Sequence, residues 1–476
     1  MNTGSHSPAR LAVTFDDDKA VAGAGLALVA TLSERLGTAE LADEVIDLGD
    51  RPGHAMPGRK VLTLVHALVA GADCIDDCDV LRSGATGSVL GHQVMAPSTL
   101  GTFLRAFTFG HVRQLDRLSE ELLARAWGTG AGPGDAPMTI DIDSTICEVY
   151  GYQKHGASYG YTKVLGQHPL VATRSDTGEV LHVRHRKGSA NTGRGAQRFV
   201  REVFGRARRA GATGPLTLRA DSGFWSKHVV AACRRHGVRY SITVNQNTQV
   251  TAAIEEIPEA RWTPIDYTTA GEAQVAECPY GDGHRLVVRR TRFVGSQAEL
   301  FCTWRYHAFI TDRDGTAVEL DADHRRHAVV ELAIRDLKEG AGLSHCPSGE
   351  FNANAAWCVL ATIAHNMVRW LAALGMDAHG PVVMKTIRRK FIVVPGRLTT
   401  RSRQRQPHLP TKWPWATEWL ACFERLRAQG LCELASAPVE EPLLDEVHGR
   451  PKDDAPVPRR GHEAGRRDRK VLGEGH

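Results

Sequence analysis

Aromatic residues make up only 6% of the 476-residue chain, and none of its ten cysteines belongs to a Cys-x-x-Cys pair. Thiols scattered without regular spacing over so long a chain point to reduced cysteines in a cytosolic protein and argue against a disulfide framework. Cys74 and Cys78 form the only close pair. No second Cys/His pair follows at a finger-like distance, so helix-packing thiols are expected there rather than zinc ligands. The opening residues MNTGSHSPARLAVTFDDD contain no apolar run of the kind a signal peptide needs, and a cytoplasmic location is expected. The most apolar long stretch, 355–374, carries His365, Asn366 and Arg369, which fits a helix buried in protein better than one in lipid. Strong charge imbalance is also missing: 59 Lys and Arg against 54 Asp and Glu leave +5, which permits a polyanionic partner without requiring one. With 42% apolar and 24% charged residues the chain can bury a sizeable core in two to four domains, excluding a peptide, a fibre or a wholly disordered protein.

The patterns that are present divide the chain. Residues 1–127 read as a helical region, with Val61, Leu64, Val65, Leu68 and Val69 at helical spacing. Within it, APSTLGTFLRAF offers Ser98 as an N-cap before Leu100, Phe103, Leu104 and Phe107, a pattern that suits a helix-turn-helix but also any bundle helix. The Gly/Pro-rich 128–137 reads as a linker. Beyond it Met138, Ile140 and Ile142 alternate with polar residues, which predicts a strand, and further strands are expected at 170–174, 180–184, 216–221 and 240–244. Helical patterns at 196–209 and 226–236 lie between them, so 138–245 together with 306–375 forms an α/β domain interrupted by a β-rich insertion at 246–305. Residues 376–447 form a basic C-terminal region, and the polar, charged 448–476 is expected to be disordered.

Carboxylates stand where a fold rarely wants them. Asp141 and Asp143 share one face of an apolar strand, and Asp221 ends another. Burying such a group costs several kcal/mol unless it is paired or metal-bound. Each site alone also fits a strand-end turn. In HRRHAVVELAIRDLK, at 100° per residue, His324, His327, Glu331, Arg335 and Lys338 fall on one helical face; a solvated face with a Glu331–Arg335 pair fits that helix equally well. Taken together, two strand acids and one helix acid can hold two hard divalent cations for phosphodiester chemistry, with cations on and beside that helix, including Arg326, positioning a phosphate backbone.

The ordered motifs D-S-T after a strand, R-A-D-S-G-F, and a Glu followed seven residues later by Lys resemble the DDE transposases of bacterial insertion sequences. The insertion sequence family numbered 1380, related to the family numbered 4, is the best match; YGYTKVLGQHPLVA, CPSGEFNANAAW and VPGRL are similar to it as well. The resemblance implies an RNase H-like catalytic domain carrying a β-rich insertion, beside a helical N-terminal DNA-binding region. It implies Asp143, Asp221 and Glu331 as catalytic metal ligands, with Lys338 completing the last motif. Asp141 stays open as a rival, because periodicity does not separate it from Asp143. The signature's Tyr and Arg are replaced by His324 and His327. Two Mg²⁺ ions, or Mn²⁺ in their place, are the implied cofactors.

Basic clusters fit a DNA partner. From Pro381 to Thr417 there is no Asp or Glu, while Arg388, Arg389, Lys390, Arg397, Arg401, Arg403 and Arg405 accumulate. Arg186 and Lys187 lie in a second basic loop. The expected function is a transposase that binds double-stranded DNA at terminal inverted repeats as a homodimer, cuts it and joins the 3′ ends to target DNA on the bacterial nucleoid, with no membrane partner. A hydrolytic RNase H-like nuclease and a non-catalytic DNA-binding derivative are the alternatives.

Overall fold

Leu26, Leu28, Val29 and Leu32 recur at helical spacing and all face inward, so the first helix of the chain is a core helix. The computed structural model describes residues 11–430 apart from 52, 152, 161, 268–270, 294–303 and 379. A short strand β1 (Ala20–Val21) precedes α1 (Leu26–Arg35), α2 (Thr38–Val45), α3 (Pro57–Ala70), α4 (Pro97–Arg105) and α5 (Phe109–Ala126). Helix α3 starts on a proline and stops at Gly71, whose φ of 114° ends the helix at little steric cost. Helix α4 also begins on a proline, Pro97, so its N-cap position falls on Ala96 with no side-chain cap. Ser98 is therefore inside the helix and not the cap the sequence suggested; a proline needs no N–H partner and takes the first helical position.

The stretch 128–137 lies at the surface, with no buried residue, but hydrogen bonds tie it to the chain beyond it. After α5 the chain makes one wide turn, Trp127–Ala131, and Trp127 Nε1 donates to the buried Glu179 at 3.0 Å. Arg174 Nη1 donates to the Ala131 carbonyl, and Thr213 N to that of Gly134. The N-terminal helices thus share a continuous core with the strands and helices beyond residue 137.

The strands β2 (Met138–Ser144), β3 (Cys147–Glu148), β4 (Ser158–Tyr159), β5 (Leu165–Gln167), β6 (Leu170–Arg174) and β7 (Val180–Arg184) are followed by α6 (Ala196–Arg209), β8 (Leu216–Ala220), α7 (Lys227–Arg235) and β9 (Val238–Thr243). Next come α8 (Thr248–Glu255), β10 (Thr263–Pro264), β11 (Gly271–Tyr280), β12 (His284–Phe293) and β13 (Arg305–Thr311). Nine of these strands form one mixed sheet in the order β10-β11-β12-β13-β9-β8-β2-β6-β7. The pairs β2–β8 and β8–β9 are parallel and the other pairs antiparallel. The expected insertion at 246–305 therefore opens on a helix, and its long hairpin joins the main sheet through β13. A small sheet, β3-β5-β4, rises just after β2.

A single helix was expected over residues 324–338. The chain instead forms α9 (Ala317–Arg325), a tight 3-10 turn at Arg326–Ala328 and then α10 (Val329–Gly340). Helix α11 (Phe351–Trp370) is buried at every position from Ala353 to Trp370 and packs against α3, α4 and α5. The span Phe351–Gly375 is long and apolar enough to cross a membrane, but it is enclosed by protein here. Truncating its fully buried Trp357 or Trp370 to Ala should cost about 3–5 kcal/mol. Beyond it lie α12 (Met384–Ile387), the hairpin β14 (Gly396–Arg401) and β15 (Gln404–His408), and α13 (Ala416–Ala428). Strand β1 pairs with β14, tying the two ends of the described chain together. The tail expected to be disordered, 448–476, and the end of the basic region, 431–447, lie outside the described residues.

Candidate active site

Parallel pairing of β2 and β8 sets Asp141 opposite Arg219 and Ile142 opposite Ala220. Side chains alternate along a strand, so Asp141 and Asp143 share a face, and so do Arg219 and Asp221. The strand pair thus carries two rungs. The inner one, Asp141 and Arg219, matches an acid with a base, while the outer one brings Asp143 and Asp221 out of the sheet side by side at the strands' C-terminal ends.

The outer rung is unneutralised. Asp143 Oδ1 accepts from Ser144 N at 2.6 Å, and Asp221 Oδ1 accepts from Gly223 N at 3.0 Å as it caps the turn Ser222–Phe224. Burial, and then the charges of Asp221 and Glu331, push the Asp143 carboxyl up to about 6 against the pull of the Ser144 hydrogen bond. Burial raises Asp221 as well, opposed by the Gly223 amide and by His327. Glu331 comes from the first turn of α10 and is exposed. Asp143, Ser144, Glu331, Arg335 and Lys338 line a cleft of about 560 Å³. Lys338 Nζ donates to the Ile146 carbonyl at 2.9 Å, which ties α10 to the segment after β2.

Asp143 is repelled by both Asp221 and Glu331, and none of the three has a Lys or Arg ion pair among the described residues; their carboxylate oxygens do not all lie within 4.8 Å of one another, but as a set of oxygen donors they suit hard divalent cations. Asp143, Asp221 and Glu331 are the residues that would hold them. A separate group, Asp73, Cys74 and Asp77, has its ligand atoms within 4.8 Å of one another, but Asp73 and Asp77 are exposed. Asp77 there accepts from the Asp73 amide, as a local turn would require.

The inner rung is saturated. Arg219 grips Asp141 through Nε and Nη2, both at 2.8 Å, and also donates to the Ser175 hydroxyl and the Asp323 carbonyl. Asp141 is 0% exposed and Arg219 1%. Burial alone would raise the Asp141 carboxyl, but hydrogen bonds from His327 and Arg219 outweigh it and hold the group below its ordinary value. Of the two strand aspartates, Asp143 lines the cleft and Asp141 is enclosed. Sequence reading missed Arg219, although an arginine inside the apolar run LTLRA was a signal, since a buried guanidinium calls for a carboxylate.

His324 and His327 part company. The 3-10 turn between α9 and α10 advances more per residue than an α-helix and breaks the single face on which both were placed. His324 is 3% exposed, its ring stacks 4.0 Å from that of Phe309, and its nitrogens bond Ser241 and Thr243. Burial holds it far below its ordinary pKa. The expected DNA contact through His324 is thus corrected, because the ring is part of the core. His327 instead bonds Asp141 Oδ1 through Nδ1 at 2.9 Å.

The other expected DNA contacts also divide. Arg326 and Arg335 are exposed, Arg335 on the cleft wall with Glu331, and Lys187, Arg389, Arg397, Arg401, Arg403 and Arg405 are exposed as well. Arg397 pairs with Asp17, and Arg405 donates to the Ser88 carbonyl. Ser402 and Arg403 form the tip of the β14–β15 hairpin with φ of 51° and 65°, as a two-residue turn there demands. Lys390 lies 5.1 Å from the Trp415 ring. Two arginines do internal work and are corrected. Arg186 binds the carbonyls of His168, Asn191 and Arg194, and burial lowers it to about 10. Arg388 binds those of Leu68, Val69 and Gly340, at the C-terminal ends of α3 and α10.

Three comparisons with known proteins complete the description. The family model described as "Transposase DDE domain group 1" matches residues 4–431. No curated protein matches significantly. A solved structure titled "Cryo-EM structure of piggyBac transposase synaptic complex with hairpin DNA (SNHP)" is similar with a TM-score of 0.43 at 13% identity, covering 78% of this chain and 79% of that one.

Proposed function

The chain belongs to the transposase DDE domain group 1 family, and from that premise we propose that it binds the terminal inverted repeats of a bacterial insertion sequence, resembling the family numbered 1380, cuts the DNA and joins the freed 3′ ends to a target. The observation that carries this reading is the unneutralised outer rung, Asp143 beside Asp221, with Glu331 lining the same cleft as Asp143. The order β7-β6-β2-β8-β9, with β6 antiparallel to its neighbours, supports an RNase H-like core.

Asp143, Asp221 and Glu331 would hold two Mg²⁺ ions, or Mn²⁺ in their place. When bound, such ions supply activation of the attacking hydroxyl and stabilisation of the leaving oxygen. The chain itself does the rest. Lys338 braces α10, and with it Glu331, against the segment after β2. Arg335, which lines the cleft with Glu331, the exposed Arg326 and the exposed basic hairpin β14–β15 would offer positive charge to the DNA backbone. A homodimer on paired DNA ends, acting on nucleoid DNA in the cytoplasm, belongs to the same reading.

The test is to incubate purified protein with precut and uncut DNA ends, a target plasmid and Mg²⁺. Metal-dependent cleavage with joined products is expected. Cleavage without joining would make the protein a hydrolytic nuclease, and end binding with neither reaction would make it a non-catalytic DNA-binding derivative.

A further inference from the structure

The β2–β8 ladder ends at Ile142 and Ala220, so no rung of it holds Asp143 against Asp221. Each carboxylate is instead met by an amide just after it, Asp143 by that of Ser144 and Asp221 by that of Gly223. A single side chain from the loop after β7 reaches both of these residues. Thr192 Oγ1 lies 3.2 Å from Ser144 Oγ in a hydroxyl–hydroxyl hydrogen bond, and the body of Thr192 rests on Gly223. A Cβ at Gly223 would stand 2.8 Å from Thr192 Cγ2 and 2.9 Å from its Cβ, inside the ~3.5 Å at which carbon atoms pack, so only glycine fits there without displacing Thr192. The loop is itself braced. Arg186 Nη1 donates to the carbonyls of Asn191 and Arg194, each at 2.9 Å, and His168 Nδ1 donates to that of Ala190 at 2.7 Å. The Asn191 side chain accepts from Arg194 N at 2.9 Å. Thr192 is therefore held in the middle of a closed turn.

We propose that Thr192 is a positioning residue that latches the C-terminal ends of β2 and β8 together, fixing the two amides that orient Asp143 and Asp221 and so the placement of both carboxylates toward the divalent cations they would hold. This rests on the transposase reading for the cations, but not for the latch. Asp143 is repelled by Asp221, so without a cation the two strand ends are pushed apart where the ladder has stopped. A hydroxyl bonded to one end and a methyl packed on the other oppose that push. Groups that hold metal ligands from behind set their geometry, and with it the affinity of the site. Thr192 acts through Ser144 and Gly223, and Arg186 serves the latch by closing the turn that carries it.

The test has two arms that use the full chain. In the first, Mn²⁺ binding is followed by electron paramagnetic resonance for Thr192→Val, Ser144→Ala and the double variant; valine keeps the packing on Gly223 and removes only the hydroxyl. Each single substitution should raise the Mn²⁺ dissociation constant by about tenfold, the lower end of the range for groups behind metal ligands. The double variant should bind within about twofold of either single one, because both substitutions remove the same bond. Unchanged binding in Thr192→Val, or losses that multiply in the double variant, would overturn the proposal. In the second arm, hydrogen–deuterium exchange of the metal-free protein is read by mass spectrometry in the peptides that contain the Ser144 and Gly223 amides. Thr192→Ala removes both contacts and should speed exchange there by roughly 3- to 10-fold, the loss of about one hydrogen bond, while peptides of α11 stay as in the wild type. Exchange unchanged in both peptides, or raised equally in α11, would overturn the latch. If the wild type binds no Mn²⁺, the metal reading falls, while the second arm still decides whether Thr192 holds the strand ends.

Discussion

Two rungs of one strand pair, two residues apart on the same face, have been given opposite treatment. At the inner rung Asp141 meets Arg219 with paired hydrogen bonds and no solvent; at the outer rung Asp143 meets Asp221 and then Glu331, acid against acid. The fold thus neutralises the carboxylate it must bury with its own cation and leaves those at the strand ends without one. Identical side chains on one strand become an enclosed, paired group and an open, unpaired one through what stands opposite them.

The largest effects should separate the rungs by activity. Asp143→Ala, Asp221→Ala and Glu331→Ala should each lower cleavage and joining by about 1000-fold or more, equal to some 4 kcal/mol of barrier. Binding of end DNA in Ca²⁺ should stay within about threefold of wild type. If Asp143→Ala remained active, the outer rung would not be the reactive one.

Stability should separate them the other way. Asp141→Ala leaves a buried guanidinium without its counter-charge, so unfolding in urea should show a loss of about 3–5 kcal/mol. Asp143→Asn removes repulsion and should match or exceed the wild type. Equal losses at the two positions would erase the distinction between the rungs.

The division was half legible in the sequence. Alternation in MTIDIDS marked β2 and put both aspartates on one face, but which of them is enclosed depends on a parallel partner more than 70 residues away, and parallel register leaves no local trace. The strands β6 to β9 and the helices α6 and α7 were legible because each carries its own periodicity. The break between α9 and α10 was not, since HRRHAVV holds neither Gly nor Pro and its residues suit a continuous helix; tertiary anchors, Asp321 on Arg289 and His327 on Asp141, pull the two helices to different partners. The cations failed for a similar reason. Arg186 and Arg388 look the same in sequence as Arg401 and Arg403, and only the carbonyls that surround them reveal an internal role.

The outer rung should also respond to pH. The Asp143 carboxyl is raised from 3.8 to about 6, mainly by burial and then by its acidic neighbours. An acid whose folded-state value lies above its unfolded one favours folding while protonated, so that contribution is present below about 4 and is lost as pH rises through about 6. On the proposed function a divalent cation would take the place of the proton. The melting temperature of the metal-free protein should therefore fall between pH 4 and 6 relative to Asp143→Asn, and added Mg²⁺ should raise it more at pH 7.5 than at pH 5. A metal-induced shift of the same size at both pH values would contradict this.

The smallest effect expected is on the basic surface. Replacing Arg401, Arg403 and Arg405 with Ala should lower the slope of log affinity against log salt by up to about 3 units, close to one for each phosphate no longer neutralised. Arg388→Ala should leave that slope unchanged while lowering stability, because its donors serve helix ends. A slope altered by Arg388→Ala would return that residue to the DNA surface.

The outer rung and Glu331 are proposed to form one site for divalent cations. Mn²⁺ titrated into the purified protein at pH 7.5 and followed by electron paramagnetic resonance tests it, with Asp143→Asn/Asp221→Asn/Glu331→Gln and Asp73→Asn/Asp77→Asn run beside the wild type. Bound Mn²⁺ should vanish in the triple variant and persist when the Asp73 and Asp77 carboxylates are removed. Retention of wild-type binding by the triple variant would contradict the claim.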